Sequence, residues 1–337
     1  MAKVTMQDLA DATGVSRITV WKALNNRSGV SEDTRRLIHN KASELGYGIA
    51  SVESGRTGGR TFSVVVARPE SSAFWMQIIH HIAKELAEHQ INLMYTYMPS
   101  CYSEGYTLPP SLAAESIDGF IALNIYDAHL LRMLSAQPLP KVFLDTVPTV
   151  RFNQLGGDLV IIDGRTSERA ITERLLKSGR TRLGFIGDAQ YAQTNLERYD
   201  GFLDAHRALG ISVDPSLCMT GPIGLRRHYE EISQFLDGLS ELPDGIVCPS
   251  DFIAHFVSQY FSLTRRKPPE GFVLTGFDNN AEYANVAERI TTVNVETSAL
   301  GKRLARKLMF RVDYPRAPEE VSYFSTDILY RGPLAQS

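Results

Sequence analysis

Few residues of this sequence have the types and spacing that an enzyme needs. His80 and His81 are adjacent, and neighbouring side chains on a helix point about 100° apart, which is poor geometry for holding one metal ion. Cys101, Cys218 and Cys248 are too far apart along the chain to indicate a disulfide framework or a zinc site. Neither a Gly-x-Gly-x-x-Gly after a strand nor a P-loop occurs. We therefore expect a binding protein without metal or other cofactor.

A distinctive set of side chains lies near the N-terminus, on a predicted helix over Arg17–Asn25. Val20, Ala23 and Leu24 recur at helical spacing and predict its buried side. The residues left facing outward are Arg17, Ile18, Trp21 and Lys22. Such a face does not stabilise the fold, so we interpret it as a contact surface.

Two further helices are predicted around this one. Thr5 caps a helix over Met6–Ala12 that Gly14 ends. Ser16 caps the second helix and Ser31 a third. A helix, a glycine-containing turn and a second helix form the geometry that enters the major groove of DNA. A three-helix bundle that binds protein or covers another domain has the same pattern, so both interpretations stay open at this point.

Charge separates this segment from the remainder of the 337-residue chain. The first 60 residues carry nine Lys or Arg against six Asp or Glu, and the others carry 26 against 32. With 43% hydrophobic and 22% charged residues, the chain is not disordered, collagenous or a coiled-coil rod. The apolar runs are too short to span a bilayer, and the N-terminus lacks a signal core, so we expect a cytoplasmic protein.

From residue 61 onward, apolar strands alternate with amphipathic helices, such as the predicted helix Phe74–His89. The predicted strands are Phe62–Ala67, Ile91–Tyr97, Asp118–Leu123, Val142–Asp145, Leu159–Asp163, Leu183–Gly187, Leu217–Thr220, Gly245–Pro249 and Phe272–Phe277. This alternation indicates parallel sheets covered on both faces. The length suits two α/β lobes, which bind ligands at the carboxyl ends of their strands.

The N-terminal motifs form a nearly continuous pattern. They are Val4-Thr5-Met6-Gln7-Asp8-Leu9-Ala10, Ala12-Thr13-Gly14-Val15-Ser16-Arg17-Ile18-Thr19-Val20, Gly29-Val30-Ser31-Glu32-Asp33-Thr34-Arg35 and Leu45-Gly46-Tyr47. The pattern resembles the headpiece of the lactose-repressor (LacI/GalR) family. The resemblance implies an all-α helix-turn-helix DNA-binding domain over residues 1–47.

The resemblance also implies which side chains touch DNA. The family reads bases with the positions of Arg17, Ile18 and Lys22; an arginine suits guanine, and an isoleucine suits a thymine methyl group. Trp21 departs from the usual serine and suggests an unusual operator or packing against backbone sugars. Contacts to phosphates and sugars are implied for Thr5, Ser16, Thr19, Asn25, Ser31 and Thr34.

Residues 48–60 depart from the family, whose hinge helix folds on the operator and inserts a leucine into the minor groove. Ile49 and Ala50 replace the usual Pro-Asn, and Arg56 stands in place of the leucine. Three glycines each cost about 1 kcal/mol in a helix interior. The segment predicts a flexible linker as readily as a hinge helix, although Arg56 suits a narrow A·T-rich minor groove.

Further landmarks follow in the larger part of the chain. They are Ile117-Asp118-Gly119-Phe120-Ile121, Leu139–Asp145, Gly179–Gly187, Arg198-Tyr199-Asp200-Gly201-Phe202, Gly276-Phe277-Asp278-Asn279 and Ile290-Thr291-Thr292-Val293. Together they resemble the family's periplasmic-binding-protein-like domain over residues 61–337. That likeness implies two parallel-sheet lobes, joined by three crossovers, that clamp a small-molecule effector.

Residues of the effector cleft are implied by position. They are Phe74, Trp75, Asp163, Arg198, Ser250, Asp251 and Asp278. Carboxylates and a guanidinium group suit the hydroxyls of a carbohydrate, and the two aromatic side chains would equally stack on a nucleoside. Ser250 stands where many sugar-responsive members have asparagine, which argues against a simple hexose. Each polar residue also suits a helix cap or a loop salt bridge.

The implied function is a ligand-responsive regulator, most simply a repressor of a carbohydrate-utilisation operon. We expect it to bind a near-palindromic operator as a homodimer, because no heptad repeat follows Ile328–Leu334. Two alternatives are a regulator that responds to a nucleoside or another non-sugar ligand and a cytosolic receptor that acts through a protein partner.

Overall fold

The computed structural model describes residues 4–24, 29–45, 59–68, 72–224 and 226–335. The chain divides into two compact units, Met1–Gly59 and Arg60–Ser337. Within the described segments, no helix is both long and apolar enough to cross a membrane.

The described part of the N-terminal unit contains three helices: α1 (Met6–Thr13), α2 (Arg17–Leu24) and α3 (Glu32–Glu44). Gly14 ends α1 in the left-handed conformation, with φ of 68°, and turns the chain into α2. The three helices enclose a small apolar core of Leu9, Ala10, Val20, Ala23, Leu24, Ile38 and Ala42. The predicted helices are therefore present, with ends that differ by only one or two residues where both ends are described.

The second unit alternates strands with helices. Its strands are β1 (Thr61–Ala67), β2 (Asn92–Met98), β3 (Gly119–Leu123), β4 (Lys141–Leu144), β5 (Asp158–Ile162), β6 (Leu183–Ile186), β7 (Cys218–Met219), β8 (Gly245–Val247), β9 (Val273–Thr275), β10 (Thr292–Asn294), β11 (Val321–Phe324) and β12 (Asp327–Leu329). Its helices are α4 (Ala73–Glu88), α5 (Ala128–Ser135), α6 (Arg165–Lys177), α7 (Gln193–Leu209), α8 (His228–Gly238), α9 (Asp251–Leu263) and α10 (Thr297–Asp313).

Ten of these strands form two parallel sheets, one in each lobe. The first lobe has the strand order β11-β5-β4-β3-β1-β2, and the second has β7-β6-β8-β9. Every pair in both sheets is parallel, as the continuous apolar strands predict. The all-α headpiece and the two-lobed α/β domain are thus both present.

The chain passes between the lobes three times. It enters the second lobe after β5, returns after β10 to place α10 against α4 and β3, and leaves again after β11. The antiparallel pair β10–β12 lies on the last two of these paths. Strands β10, β11 and β12 were not predicted from the sequence, because their residues mix polar with apolar types instead of forming an apolar run.

Candidate functional site

In the headpiece, side-chain hydroxyls fix the start of each helix. The Thr5 hydroxyl accepts from the backbone N–H of Asp8 at 3.3 Å, and the Asp8 carboxylate accepts from the Thr5 N–H at 2.7 Å. The Ser16 hydroxyl accepts from the Thr19 N–H at 3.1 Å. Ser31 and Thr34 repeat this arrangement at 3.2 Å. These exposed helix starts carry N–H groups and positive dipole ends, which favour phosphate binding.

Helix α2 presents the predicted contact surface. Arg17 and Ile18 are exposed, Ile18 by 67% of its surface, while Trp21 is 39% exposed and Lys22 is half-buried. The opposite side packs into the core, and the Arg35 guanidinium donates to the carbonyl of Ala23 at 3.0 Å. The inner side of α2 is therefore fixed by packing, and its outer side is accessible to a partner. Asn25 and Arg56, also predicted to touch DNA, lie outside the described residues.

The second unit contains a cavity of about 330 Å³, within the usual range for small-molecule sites. Six of its polar side chains lie within three positions after a strand of one of the two sheets: Arg68, Asn124, Asp145, Asp188, Ser250 and Asp278. Because all these strands are parallel within each sheet, their carboxyl ends meet at one edge, where such folds bind ligands.

Arg198 is the central cation of this cavity. It lies on α7, is 5% exposed, and its guanidinium carbon is 3.6 Å from the centre of the Phe277 ring. One terminal nitrogen donates to the carbonyl of Pro249, and the other lies 3.9 Å from the Asp278 carboxylate. Glycine is required at position 164, because a Cβ there would lie 2.6 Å from the Cγ of Arg198. The guanidinium group is thus fixed before any ligand arrives.

Asp278 and Asp251 differ in their relation to the cavity. Asp278 lines it, and burial raises the pKa of its carboxyl while Arg198 opposes that shift. Asp251 does not line the cavity. Its two oxygens accept from the Asn280 N–H at 2.7 Å and the Thr292 hydroxyl at 2.8 Å, and burial, with the nearby Asp278, raises its pKa to about 7.

Asp163 also does not line the cavity. Its carboxylate accepts from the backbone N–H of Thr166 at 3.1 Å, at the start of α6. Its carbonyl accepts from the Thr326 hydroxyl at 3.3 Å. The carboxylate therefore caps a helix, and a residue that directly follows a strand does not always face the ligand. Ser250 does both, since its hydroxyl caps α9 through the Ile253 N–H at 3.2 Å while the residue also lines the cavity.

Asp145 is a polar residue of the cavity that was not predicted from the sequence. It is 5% exposed, and it joins the two lobes because Oδ2 accepts from the Thr194 hydroxyl of the second lobe at 2.6 Å. Oδ1 accepts from the Thr146 N–H at 2.8 Å. Burial raises its pKa to about 6, against these hydrogen bonds. The sequence feature that could have identified Asp145 as a cavity residue is its position directly after β4.

Aromatic side chains form the walls. The Phe74 and Trp75 rings stand edge to face, 5.2 Å apart, and the Tyr126 and Tyr191 rings are 4.7 Å apart. His228 lines the cavity from the second lobe, and burial lowers the pKa of its imidazole. The other aromatic lining residues are Phe252 and Tyr283. Polar groups at the centre with rings around them suit a ligand that has both hydroxyls and C–H faces.

Further hydrogen bonds hold the lobes together beside the cavity. The Gln193 N–H donates to the carbonyl of Thr146 at 2.7 Å, and the Ala73 N–H donates to Glu282 at 2.9 Å. Within the described segments, no group of three or more His, Cys, Asp or Glu is arranged to hold a metal ion. The site is therefore built for recognition by hydrogen bonds and ring contacts between two lobes.

Comparison with known proteins identifies both units. Residues 5–48 match the family model for bacterial regulatory proteins of the lacI family. Residues 172–332 match the model for a periplasmic binding protein-like domain. The HTH-type transcriptional regulator CelR of Thermobifida fusca is 25% identical over 315 residues, which cover 91% of this chain and 92% of CelR.

Solved structures share the whole architecture. A complex of the transcriptional regulator CelR with cellobiose covers 97% of this chain and 99% of its own, with a TM-score of 0.69 and 24% identity. A lac repressor dimer bound to operator and the anti-inducer ONPF covers 98% of both chains, with a TM-score of 0.67 and 17% identity. The headpiece, the two-lobed domain and these matches agree: residues 5–48 belong to the lacI family of bacterial regulatory proteins, and the chain is a ligand-responsive, DNA-binding transcriptional regulator rather than an enzyme.

Proposed function

We propose that the cavity binds a carbohydrate and that its occupancy controls repression of a carbohydrate-utilisation operon. The observation that carries this proposal is the pairing of Arg198 with Asp278 inside an aromatic-walled cavity. A guanidinium group donates to hydroxyls and a carboxylate accepts from them, while aromatic rings pack on the C–H face of a sugar ring. The relative CelR was solved with cellobiose, which makes a disaccharide a reasonable first ligand.

The ligand would act by bridging the lobes. Phe74 and Trp75 belong to the first lobe, whereas Arg198 and Asp278 belong to the second. A molecule that contacts all four favours the arrangement in which the lobes are close, since only differential contacts shift such an equilibrium. We propose that this shift changes the spacing of two headpieces in a homodimer and hence operator affinity.

On DNA, we propose that α2 reads bases. Arg17 would contact guanine, Ile18 a thymine methyl group, and Lys22 a further base. The helix starts at Thr5, Ser16 and Ser31 would position the sugar–phosphate backbone. Operator binding also implies a cytoplasmic location, and a two-fold dimer matches two half-sites of a near-palindromic operator.

Trp75 offers a direct test of the ligand. The chain has two tryptophans, so a Trp21→Phe variant reports the cavity alone. This variant is titrated with cellobiose, glucose, ribose and adenosine while tryptophan fluorescence and thermal stability are recorded. We expect saturable quenching and a higher melting temperature with at least one sugar. A response to adenosine and to no sugar would replace the carbohydrate by a nucleoside.

A second experiment tests the DNA-binding proposal independently. Gel shifts of the full chain on DNA from its own promoter region, repeated at 50 and 200 mM salt (roughly a fourfold change), measure operator affinity. We expect a steep salt dependence and a complex that contains two chains. A receptor that acts through a protein partner would show no preference for this DNA over random sequence. Light scattering at micromolar concentration that shows a monomer or tetramer would contradict the dimer.

A further inference from the structure

A second cavity of about 320 Å³ lies in the second lobe, separate from the effector cavity. It is a groove along β9, which is the edge strand of the four-stranded sheet, and is closed on its other sides by α9 and the segments around residues 290 and 332. Its lining includes Phe261, Phe272, Arg289, Ile290, Arg331 and Pro333.

The charged side chains that line the groove are both basic. Arg289 and Arg331 line it, and no lining residue is acidic, although residues 61–337 carry 32 Asp or Glu against 26 Lys or Arg. The two chain segments that carry these arginines lie close together, because the backbone carbonyl of Arg289 lies 3.2 Å from where a Cβ of Gly332, the residue after Arg331, would be. Two cations without a carboxylate in the same cavity leave a positive potential that an anion neutralises.

The two arginines differ in how they are held. Arg331 is half-buried, and its guanidinium donates to the Asn279 side chain at 3.0 Å. Its backbone is fixed by mutual hydrogen bonds with the Thr291 hydroxyl, at 2.9 and 3.1 Å. The side chain of Arg289 is exposed and makes no ion pair or hydrogen bond with any residue in the described part of the chain. One cation is therefore preorganised and the other is available.

The remaining wall is apolar. Phe261, Phe272, Ile290 and Pro333 line the groove, whose volume exceeds that of a bare inorganic ion. The Ser258 and Ser262 side chains, one helical turn apart on α9, add hydroxyls. We propose that this groove binds a small organic oxyanion: its phosphate or carboxylate group lies on Arg289 and Arg331, and its apolar body packs on the phenylalanines and proline.

The groove also connects to the effector cavity. Asn279, the partner of Arg331, stands between Asp278 and Asn280, which both line the effector cavity. Asp278 and Asn279 have positive φ angles of 98° and 51°, so this turn is conformationally restrained. An anion that draws Arg331 toward itself acts on the turn that holds Asp278. The second site would thereby modulate the first, and by linkage the effector would modulate anion binding.

Calorimetric titration of the full chain with three probes tests the site. Phenyl phosphate has an oxyanion and an apolar body, inorganic phosphate has the oxyanion alone, and benzoate replaces phosphate by carboxylate. We expect one site per chain with phenyl phosphate bound at least about tenfold more tightly than inorganic phosphate, since only phenyl phosphate has a ring to bury against the apolar wall. The benzoate titration decides between the phosphate and carboxylate classes.

Two matched variants separate this site from general anion binding, including binding by the headpiece. Arg289→Gln removes the available cation, and we expect it to weaken phenyl phosphate at least about tenfold, as for loss of one charge-assisted contact. Arg316→Gln changes another exposed loop arginine, in the first lobe, and should leave binding unchanged. Equal affinities of wild type and Arg289→Gln, or no saturable binding of any probe, would overturn the proposal. Neither result would affect the proposed sugar site, which the Trp75 titration tests separately.

Discussion

The headpiece and the effector cavity present their polar side chains in opposite ways. The headpiece carries its predicted reading residues within two turns of one helix, on an exposed side. The cavity is lined by Asp145 from the first lobe and Arg198 from the second, and each of these residues is only 5% exposed. Exposed residues change the affinity for a partner but contribute little to the stability of the fold. Buried polar residues contribute to ligand binding and to stability. Four substitutions test this contrast.

The largest effect is expected for Arg198→Ala. The change leaves Asp278 and the carbonyl of Pro249 without their cation, so we expect the ligand response to vanish. The free energy of unfolding should fall by about 3 kcal/mol, because one partner of a buried charged pair is removed. Trp75 fluorescence and urea unfolding measure the two effects. Arg207→Ala, an exposed change on the same helix, is the control; a normal ligand response in Arg198→Ala would show that the effector site lies elsewhere.

Arg17→Ala should affect DNA binding alone. Loss of a bidentate base contact costs about 1–3 kcal/mol on the operator, with little change on random DNA. Stability should change by less than about 0.5 kcal/mol, since Arg17 is exposed. Gel shifts on both DNAs and a thermal melt check this, with exposed Arg36→Ala on α3 as the control. Equal losses on the two DNAs would reduce Arg17 to a phosphate contact.

Glu168→Gln should change how stability depends on pH. Glu168 is fully buried on α6, neither carboxyl oxygen has a hydrogen-bond partner among the described residues, and burial raises its pKa from 4.5 to about 8. The folded state therefore keeps a proton that the unfolded state has lost between these values, so this group makes stability fall as pH rises through that window.

The neutral glutamine removes this dependence. We expect Glu168→Gln to melt a few degrees above wild type at pH 9 and close to it at pH 4. Glu173→Gln, an exposed-side change on the same helix, serves as the control, because Arg169 and Lys177 lower the pKa of that carboxyl. A wild-type melting temperature that is independent of pH between 5 and 9 would contradict the buried protonated acid.

The smallest effect is expected for Gly14→Ala. Nothing lies within 4 Å of the added Cβ, so the cost comes from the left-handed backbone at φ of 68° and amounts to about 1 kcal/mol. Trp21 fluorescence during urea unfolding measures it in the headpiece, in a chain that also carries Trp75→Phe so that Trp21 alone reports. Gly238→Ala, which also meets open space but has no positive φ, should be neutral or slightly stabilising. Equal effects of the two changes would remove the backbone explanation.

The headpiece could be predicted closely because its signals are local. Thr5, Gly14 and Ser16 mark helix ends through contacts within three or four positions, and helical spacing assigns Val20 and Leu24 to the core. The strands of the larger unit were predicted for the same reason, since apolar runs such as Val64–Val66 are buried on both faces. The predicted domain limits at residues 47 and 60 stay predictions.

The sequence by itself determined the class of each unit, the outward side of α2 and several lining residues, including Arg198 and Asp278. Only the tertiary structure decided that Asp251 lies behind the cavity and that Asp145 joins the lobes. The physical reason is distance along the chain. Whether a polar side chain after a strand faces a ligand depends on hydrogen-bond partners tens of positions away, such as Thr194 for Asp145 and Thr292 for Asp251. No local pattern encodes those partners.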